Sequence, residues 1–124
     1  MDVLKIKPTI KSLEVSLDAE TGKLLFSGRS YPENSVGFFK PIIEWLKNYA
    51  LHPAVLTECI FKIEYFNSAS RKSVVEVFKV IESIYKSSHT VKIIWEFETG
   101  DDSMKETGEE YQTLFKLDFQ FSSH

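Results

Sequence analysis

The segment Phe61 to Val75, FKIEYFNSASRKSVV, places hydroxyl groups and cations where two elements of secondary structure meet. An alternating apolar run ends at Phe66, a polar stretch follows, and a helical pattern begins near Ala69. Ser68 therefore lies where backbone N–H groups point outward and the helix dipole favours negative charge. Such a position suits a phosphoryl group, either on a ligand or on the serine itself. We predict that Ser68 is a regulatory phosphorylation site.

A structural role for Ser68 stays open beside phosphorylation. Serine is a preferred N-cap and stabilises a helix by about 1 kcal/mol relative to alanine. Arg71 and Lys72 follow in the first helical turn, where cations oppose the helix dipole, so their placement makes more sense if an anion sits nearby. We expect Asn67, Arg71 and Lys72 to lie next to the phosphate, with Ser70 as the competing acceptor.

No other pattern in the chain predicts catalysis, a metal or a cofactor. The glycines form neither a phosphate-binding loop nor a dinucleotide fingerprint, and no nucleophile motif is present. The acidic loop Glu98 to Asp102 lacks the ordered ligand spacing of a calcium loop. Cys59, the single cysteine, lies in an apolar strand pattern and is interpreted as a small buried side chain. The three histidines, His52, His89 and His124, are scattered and show no metal-binding spacing. We therefore expect a non-enzymatic protein.

Length, charge and hydrophobic content restrict the class of protein. A chain of 124 residues with 43% hydrophobic residues is long enough for one core, so residues 1–124 are predicted to form a single domain. The net charge of −3 disfavours binding to nucleic acids and to anionic membranes. Neither a signal peptide nor a membrane-spanning window is seen, which predicts a cytoplasmic protein.

Hydrophobic periodicity predicts an α/β fold with a mixed β-sheet, an N-terminal hairpin and about three helices packed against the sheet. Strand–helix–strand units favour right-handed crossovers and therefore parallel neighbours. Asn34 or Ser35 is expected to cap the first helix, and Pro41 to kink it or to begin a new one. The other predicted elements are strands near Leu4–Lys7, Leu13–Leu17, Lys23–Ser30, Val55–Phe66, Val91–Phe97 and Leu117–Phe121, a helix from about Ala69 to Lys86, and a short helix that Asp102 caps and that runs through Phe115.

Strict alternation in the longest strand assigns its side chains to two faces. Cys59, Phe61, Ile63 and Tyr65 fall on one face, and Phe66 falls with Ile60 on the other. Apolar residues on both faces are typical of a central strand.

Two aromatic side chains are candidate anchors for a partner protein. Phe38 and Phe39 are consecutive, so both cannot face the core from one helix. We take Phe39 and Trp45 as the candidate partner-binding residues. The acidic segment from Glu96 to Glu110 is either a solvated face or a docking patch for a basic partner.

Three segments carry motifs that are specific in combination. They are YPENSVGFFKPIIEWL at Tyr31–Leu46, FKIEYFNSASRKSV at Phe61–Val74, and EFETGDDSMKETGEEY at Glu96–Tyr111, ahead of a closing LDFQF. Together they resemble the SiaC family of bacterial regulatory phosphoproteins over nearly the whole chain. That family is similar to STAS-like anti-anti-sigma proteins, whose phosphoserine also lies at a strand-to-helix junction, so the resemblance implies a STAS-like fold.

The resemblance implies a phospho-switch without enzymatic activity of its own. In the family, a kinase of the histidine-kinase-like ATPase fold phosphorylates the hydroxyl after the asparagine, and a metal-dependent PP2C-type phosphatase reverses this. By motif the acceptor here is Ser68, following Asn67, at a position where the family often has threonine. The unmodified form is expected to bind and activate a diguanylate cyclase, in cyclic-di-GMP and biofilm signalling. The alternative is an anti-anti-sigma antagonist in a partner-switching pathway, although the chain lacks the Asp-Ser motif of those proteins.

Overall fold

The computed structural model describes residues 1–124 as six strands and three helices. The predicted α/β class, N-terminal hairpin and three helices are confirmed. None of the helices combines the length and apolar content that crossing a membrane requires. The strands are β1 (Leu4–Ile6), β2 (Glu14–Asp18), β3 (Lys23–Ser30), β4 (Leu56–Phe66), β5 (Thr90–Phe97) and β6 (Asp118–Ser123), and the helices are α1 (Ser35–Tyr49), α2 (Ser68–Lys86) and α3 (Asp102–Phe115).

The strands form one mixed sheet in the order in which they occur along the chain. β1, β2 and β3 pair antiparallel, whereas β3, β4, β5 and β6 pair parallel. One helix connects each pair of adjacent parallel strands. The three connections advance across the sheet in the same direction, so right-handed crossovers place all three helices on the same face. The carboxyl ends of β3, β4 and β5 therefore meet at the edge of the sheet where the helices begin.

The helix-covered face of the sheet carries the hydrophobic core. Cross-strand register aligns Phe26, Phe61 and Trp95, and all three side chains are buried. Phe78 of α2 stacks on Phe61 with ring centroids 4.9 Å apart. Such aromatic pairs contribute about 0.5–1.5 kcal/mol beyond the burial of their area. The position of α2 on the sheet is thus fixed by large side chains.

A β-bulge near the end of β4 changes which side chains face the core. The register with β3 shifts after Gly28, so Glu64 is an extra residue in β4. The extra residue inverts the alternation, and as a result Tyr65 is exposed while Phe66 is buried. The predicted placement of Tyr65 on the core face and Phe66 on the opposite face is therefore wrong.

Helix α1 runs without interruption through Pro41. Asn34 caps it, since Oδ1 of Asn34 accepts a hydrogen bond from the Gly37 N–H at 3.0 Å. The prediction that a new helix begins at Pro41 is wrong, because burial of Phe39 and Ile42 holds the chain helical on both sides of the proline. Pro41 and Gly37 are themselves exposed, so the carbonyl that loses its partner faces solvent.

Candidate functional site

Ser68 is the first residue of α2 and stands at the sheet edge where β4 ends. Its side chain is exposed. The N-cap is Asn67, whose Oδ1 accepts a hydrogen bond from the Ser70 N–H at 2.9 Å. The capping role considered for Ser68 is therefore wrong, because the preceding asparagine already fills it. The Ser68 hydroxyl is left at the surface beside the N–H groups of the first helical turn.

Ser70 is unsuited to the role of competing acceptor. Its side chain is completely buried. Its hydroxyl accepts a hydrogen bond from the Ser30 hydroxyl at 2.8 Å and shares another with the Ser35 hydroxyl at 2.9 Å. These bonds join the end of β3 and the starts of α1 and α2, so Ser70 is part of a buried structural cluster that a kinase cannot reach in this conformation.

Arg71 is directed towards α3. Its Nη2 donates to Thr107 Oγ1 at 2.9 Å, and its guanidinium lies 5.1 Å from the centroid of the Phe66 ring. The Arg71 carbonyl accepts a hydrogen bond from the Tyr111 hydroxyl at 3.1 Å. These contacts make Arg71 a link between α2 and α3, while its place beside a phosphate on Ser68 stays a prediction.

Lys72 is a cation near Ser68 without an ion-pair partner. It is exposed, it has no carboxylate within ion-pair distance, and it follows Ser68 by four residues on the same helix. Residues four apart on a helix are neighbours on its surface. An anionic group on Ser68 would thus find one unpaired ammonium group within its own helix.

Tyr111 is the buried titratable group of this region. Burial raises the pKa of the Tyr111 hydroxyl above its ordinary range, against the opposing charge of Arg71. The hydroxyl stays protonated and donates its hydrogen bond to the carbonyl of Arg71. Its role in the fold is to hold the first turn of α2 against α3.

The two predicted aromatic anchors have internal roles. Phe39 is fully buried and packs edge-on against Phe38 at 5.2 Å, so the prediction that Phe39 anchors a partner is wrong. Trp45 is half-buried: its ring stacks on Tyr49 at 5.3 Å and its Nε1 donates to the Asp2 carbonyl at 2.9 Å. Trp45 therefore holds the N-terminal segment onto α1.

An aromatic pair that sequence reasoning missed lies next to the junction. The rings of Tyr31 and Tyr65 meet edge-on with centroids 5.8 Å apart. The Asn67 N–H donates to the Ser30 carbonyl at 3.0 Å, which brings Tyr31 alongside the start of α2. The consecutive aromatics Tyr65 and Phe66 indicated that one of them must face outward, but only the bulge decides which.

The acidic segment runs from the end of β5 into α3. The predicted cap, Asp102, is wrong by one residue: Asp101 caps the helix, because its Oδ1 accepts a hydrogen bond from the Met104 N–H at 3.1 Å. Glu106, Glu109 and Glu110 are exposed and form no ion pair. No group of three or more metal-ligating side chains is brought together anywhere in the chain. The docking role of this acidic surface stays a prediction.

Comparison with known proteins agrees with the motifs. The sequence model described as "SiaC family regulatory phosphoprotein" matches residues 6–124. An uncharacterized protein of Pseudomonas aeruginosa strain UCBPP-PA14 is 24% identical over 124 residues, which are 100% of this chain and 98% of that protein.

The fold is that of solved SiaC structures. SiaC of Pseudomonas aeruginosa superposes with a TM-score of 0.92 at 24% identity, over 100% of both chains. A chain in the crystal structure of the diguanylate cyclase SiaD with its activator SiaC, from the same organism, gives a TM-score of 0.91 at 24% identity, over 98% of this chain and 99% of that one. These likenesses establish the fold, while the STAS-like description stays a prediction. The match of the family model over residues 6–124 shows that this chain belongs to the SiaC family of regulatory phosphoproteins.

Proposed function

We propose that this chain is a non-enzymatic signalling protein that is switched by reversible phosphorylation of Ser68. Residues 1–124 act in this proposal as one regulatory domain. The observation that carries it is that the Ser68 side chain is exposed and does not cap α2, because Asn67 does. The chain also belongs to a family of phosphoproteins. The buried hydroxyl of Ser70 supports the same choice of site.

The start of α2 is physically suited to hold a phosphoryl group. A phosphoserine carries about −1.5 to −2 charges at neutral pH and offers three acceptor oxygens. The unpaired N–H groups and the dipole at a helix N-terminus stabilise an anion by about 0.3–1 kcal/mol at an exposed site. Lys72, one turn further along α2, is placed to add a charge-assisted bond.

The partner of the unmodified form is, in this proposal, a diguanylate cyclase. The support is the Pseudomonas aeruginosa complex in which SiaC is the activator of the cyclase SiaD. From the resemblance in the motifs, the proposal includes a histidine-kinase-like kinase that phosphorylates Ser68 and a PP2C-type phosphatase that removes the phosphate. Phosphate on Ser68 would disfavour the complex, because a docked partner would have to bury or oppose the added charge.

The test is a binding assay with each diguanylate cyclase encoded in the source genome, purified and titrated separately. The unmodified protein and Ser68→Ala are expected to bind one cyclase equally and to raise its activity. Ser68→Asp should bind it about tenfold or more weakly, which corresponds to about 1.4 kcal/mol. An aspartate at the first position of a helix is favourable for the fold, so the loss would report on binding.

Ser103→Asp is the matched control, because Ser103 is an exposed serine in the first turn of α3. It adds the same charge at the second residue of a helix and should leave cyclase binding unchanged. Absence of binding to every cyclase, or equal affinity of Ser68→Asp and the unmodified protein, would contradict the proposed function. Binding to an anti-sigma kinase in place of a cyclase would favour the anti-anti-sigma alternative.

A further inference from the structure

A groove runs between α1 and α2 and begins beside Ser68. Two adjoining depressions form it, and they share Ile43 and Glu76. Ala69 and Lys72 of the first turn of α2 line its near end, so the groove opens next to the proposed phosphorylation site. Its apolar lining consists of Val36, Ile43, Ala50, Ala69 and Val80, with the fully buried ring of Phe39 beneath them.

The apolar lining is open to solvent at the end near Ser68. Val36 is 73% exposed, more than any other large hydrophobic residue in the three helices, and Ala69 on the facing helix is also exposed. Ile43 is half-buried on the floor between the two helices. Contact with an apolar segment would remove this surface from water, which is favourable in proportion to the buried area.

The charged side chains of the groove are mainly cationic. Lys79 is paired with Glu76 at 3.1 Å, but Lys47 and Lys72 have no carboxylate within ion-pair distance. The chain as a whole has a net charge of −3, so this strip is opposite in sign to the protein around it. A segment that carries apolar residues flanked by carboxylates would be complementary to both features of the groove.

We propose that the groove between α1 and α2 binds an apolar segment flanked by acidic residues on the partner cyclase, and that phosphate on Ser68 opposes this binding by charge. The inference rests on the proposed function and adds the surface and the chemistry of the partner. A phosphoryl group on Ser68 would compete for the ammonium group of Lys72, four residues along α2, and would repel the carboxylates of the partner. Phosphorylation and occupancy of the groove then exclude each other without any movement of the helix.

A second groove, between α2 and α3, fits such a partner less well. Leu114 gives it an exposed apolar side chain, but Glu110 contributes a carboxylate and the guanidinium of Arg71 is already bonded to Thr107. This groove is therefore the natural comparison in an experiment, because it flanks the same helix and also begins near Ser68.

The experiment measures the dissociation constant of the purified cyclase that the unmodified protein binds. Val36→Glu and Lys47→Glu change the proposed groove, whereas Leu114→Glu and Lys105→Glu make comparable apolar-to-acidic and basic-to-acidic substitutions on α3. All four positions are exposed, and circular dichroism verifies that each variant is folded. We expect each groove variant to bind about tenfold or more weakly, and each α3 variant to bind within about twofold of the unmodified protein. The weakening by Lys47→Glu should shrink as salt is raised to about 1 M, where charges are screened beyond about 3 Å.

Unchanged affinity of both groove variants would overturn this inference, as would a loss confined to Leu114→Glu. If Ser68→Asp weakens binding while the groove variants do not, the phospho-switch stands and the groove assignment fails. If the unmodified protein binds no cyclase, the proposed function itself fails, so the two failures give different results.

Discussion

Asn67 accepts a hydrogen bond from the Ser70 N–H at 2.9 Å, and this single bond separates the two neighbouring serines into different roles. It caps α2 through a side chain that precedes Ser68, so the Ser68 hydroxyl is not needed for the helix. It also fixes the first turn so that Ser70 points into the core. The proposed phosphorylation site and the structural serine are thus distinguished by the cap.

Removal of the cap should destabilise the protein without removing the acceptor. Asn67→Ala is expected to lower the free energy of unfolding by about 1 kcal/mol, because a first-turn N–H loses its partner. Denaturant unfolding followed by circular dichroism measures this. Asn67→Asp retains an accepting oxygen and should unfold within about 0.5 kcal/mol of the original protein. A cost for aspartate as large as that for alanine would argue against the capping role.

Ser70→Ala tests the buried hydroxyl cluster. The substitution leaves the Ser30 and Ser35 hydroxyls without their shared partner, and we expect a loss of about 1–3 kcal/mol in the free energy of unfolding. Phosphorylation of Ser68 should persist in the folded variant. As a control, Ser83→Ala removes an exposed hydroxyl of α2 and should change stability by less than about 0.5 kcal/mol. Equal stability of the two variants would contradict the structural role of Ser70.

Gly108 allows α3 to pack directly on Trp95. A Cβ at Gly108 would lie 2.6 Å from Cδ1 and Nε1 of the indole, whose Nε1 donates to the Met104 carbonyl at 2.9 Å. Alanine has the better helix propensity by about 1 kcal/mol, yet overpacking typically costs about 1–3 kcal/mol. We expect Gly108→Ala to lower the melting temperature and to shift the fluorescence of Trp95. Melting at or above the original temperature would show that the helix can move away from the indole at no cost.

Stability should fall at alkaline pH partly because of Tyr111. Its pKa is raised in the folded protein above the ordinary value of 10.0, so the folded state holds this proton more tightly than the unfolded state. The stabilisation is therefore complete below about pH 10 and is lost as the pH rises from there towards the folded pKa. Cys59, also buried with a raised pKa, contributes in the same direction.

Tyr111→Phe isolates that contribution, because it keeps the ring and removes the titrating hydroxyl. The unfolding free energy of this variant should decline less steeply above pH 10 than that of the original protein, when both are measured by denaturant titration. Parallel pH profiles for the two proteins would contradict a raised pKa at Tyr111.

The elements could be predicted from the sequence where local periodicity determines them. The run from Val74 to Ile84 repeats apolar residues at helical spacing, and α2 follows it closely. The burial of Ser70 could have been predicted in the same way, because Ser70 precedes Val74 by four residues and Val77 by seven, and so lies on the buried face.

Other features of the site depend on contacts between distant parts of the chain. The bulge that exposes Tyr65 is defined by the pairing of β4 with β3, and alternation within one strand does not reveal it. Nothing near Arg71 in the sequence indicates that its side chain bonds to Thr107, 36 residues later. The groove likewise requires α1 and α2 to be neighbours, so no single segment of sequence indicates it.

The most direct test of the central claim is phosphopeptide mass spectrometry on the protein isolated from its own cells, with and without phosphatase treatment. We predict a phosphoryl group on Ser68 that the phosphatase removes, with Ser70 unmodified. Phosphate confined to Ser70, or no phosphate on Ser68 under any growth condition, would contradict the account.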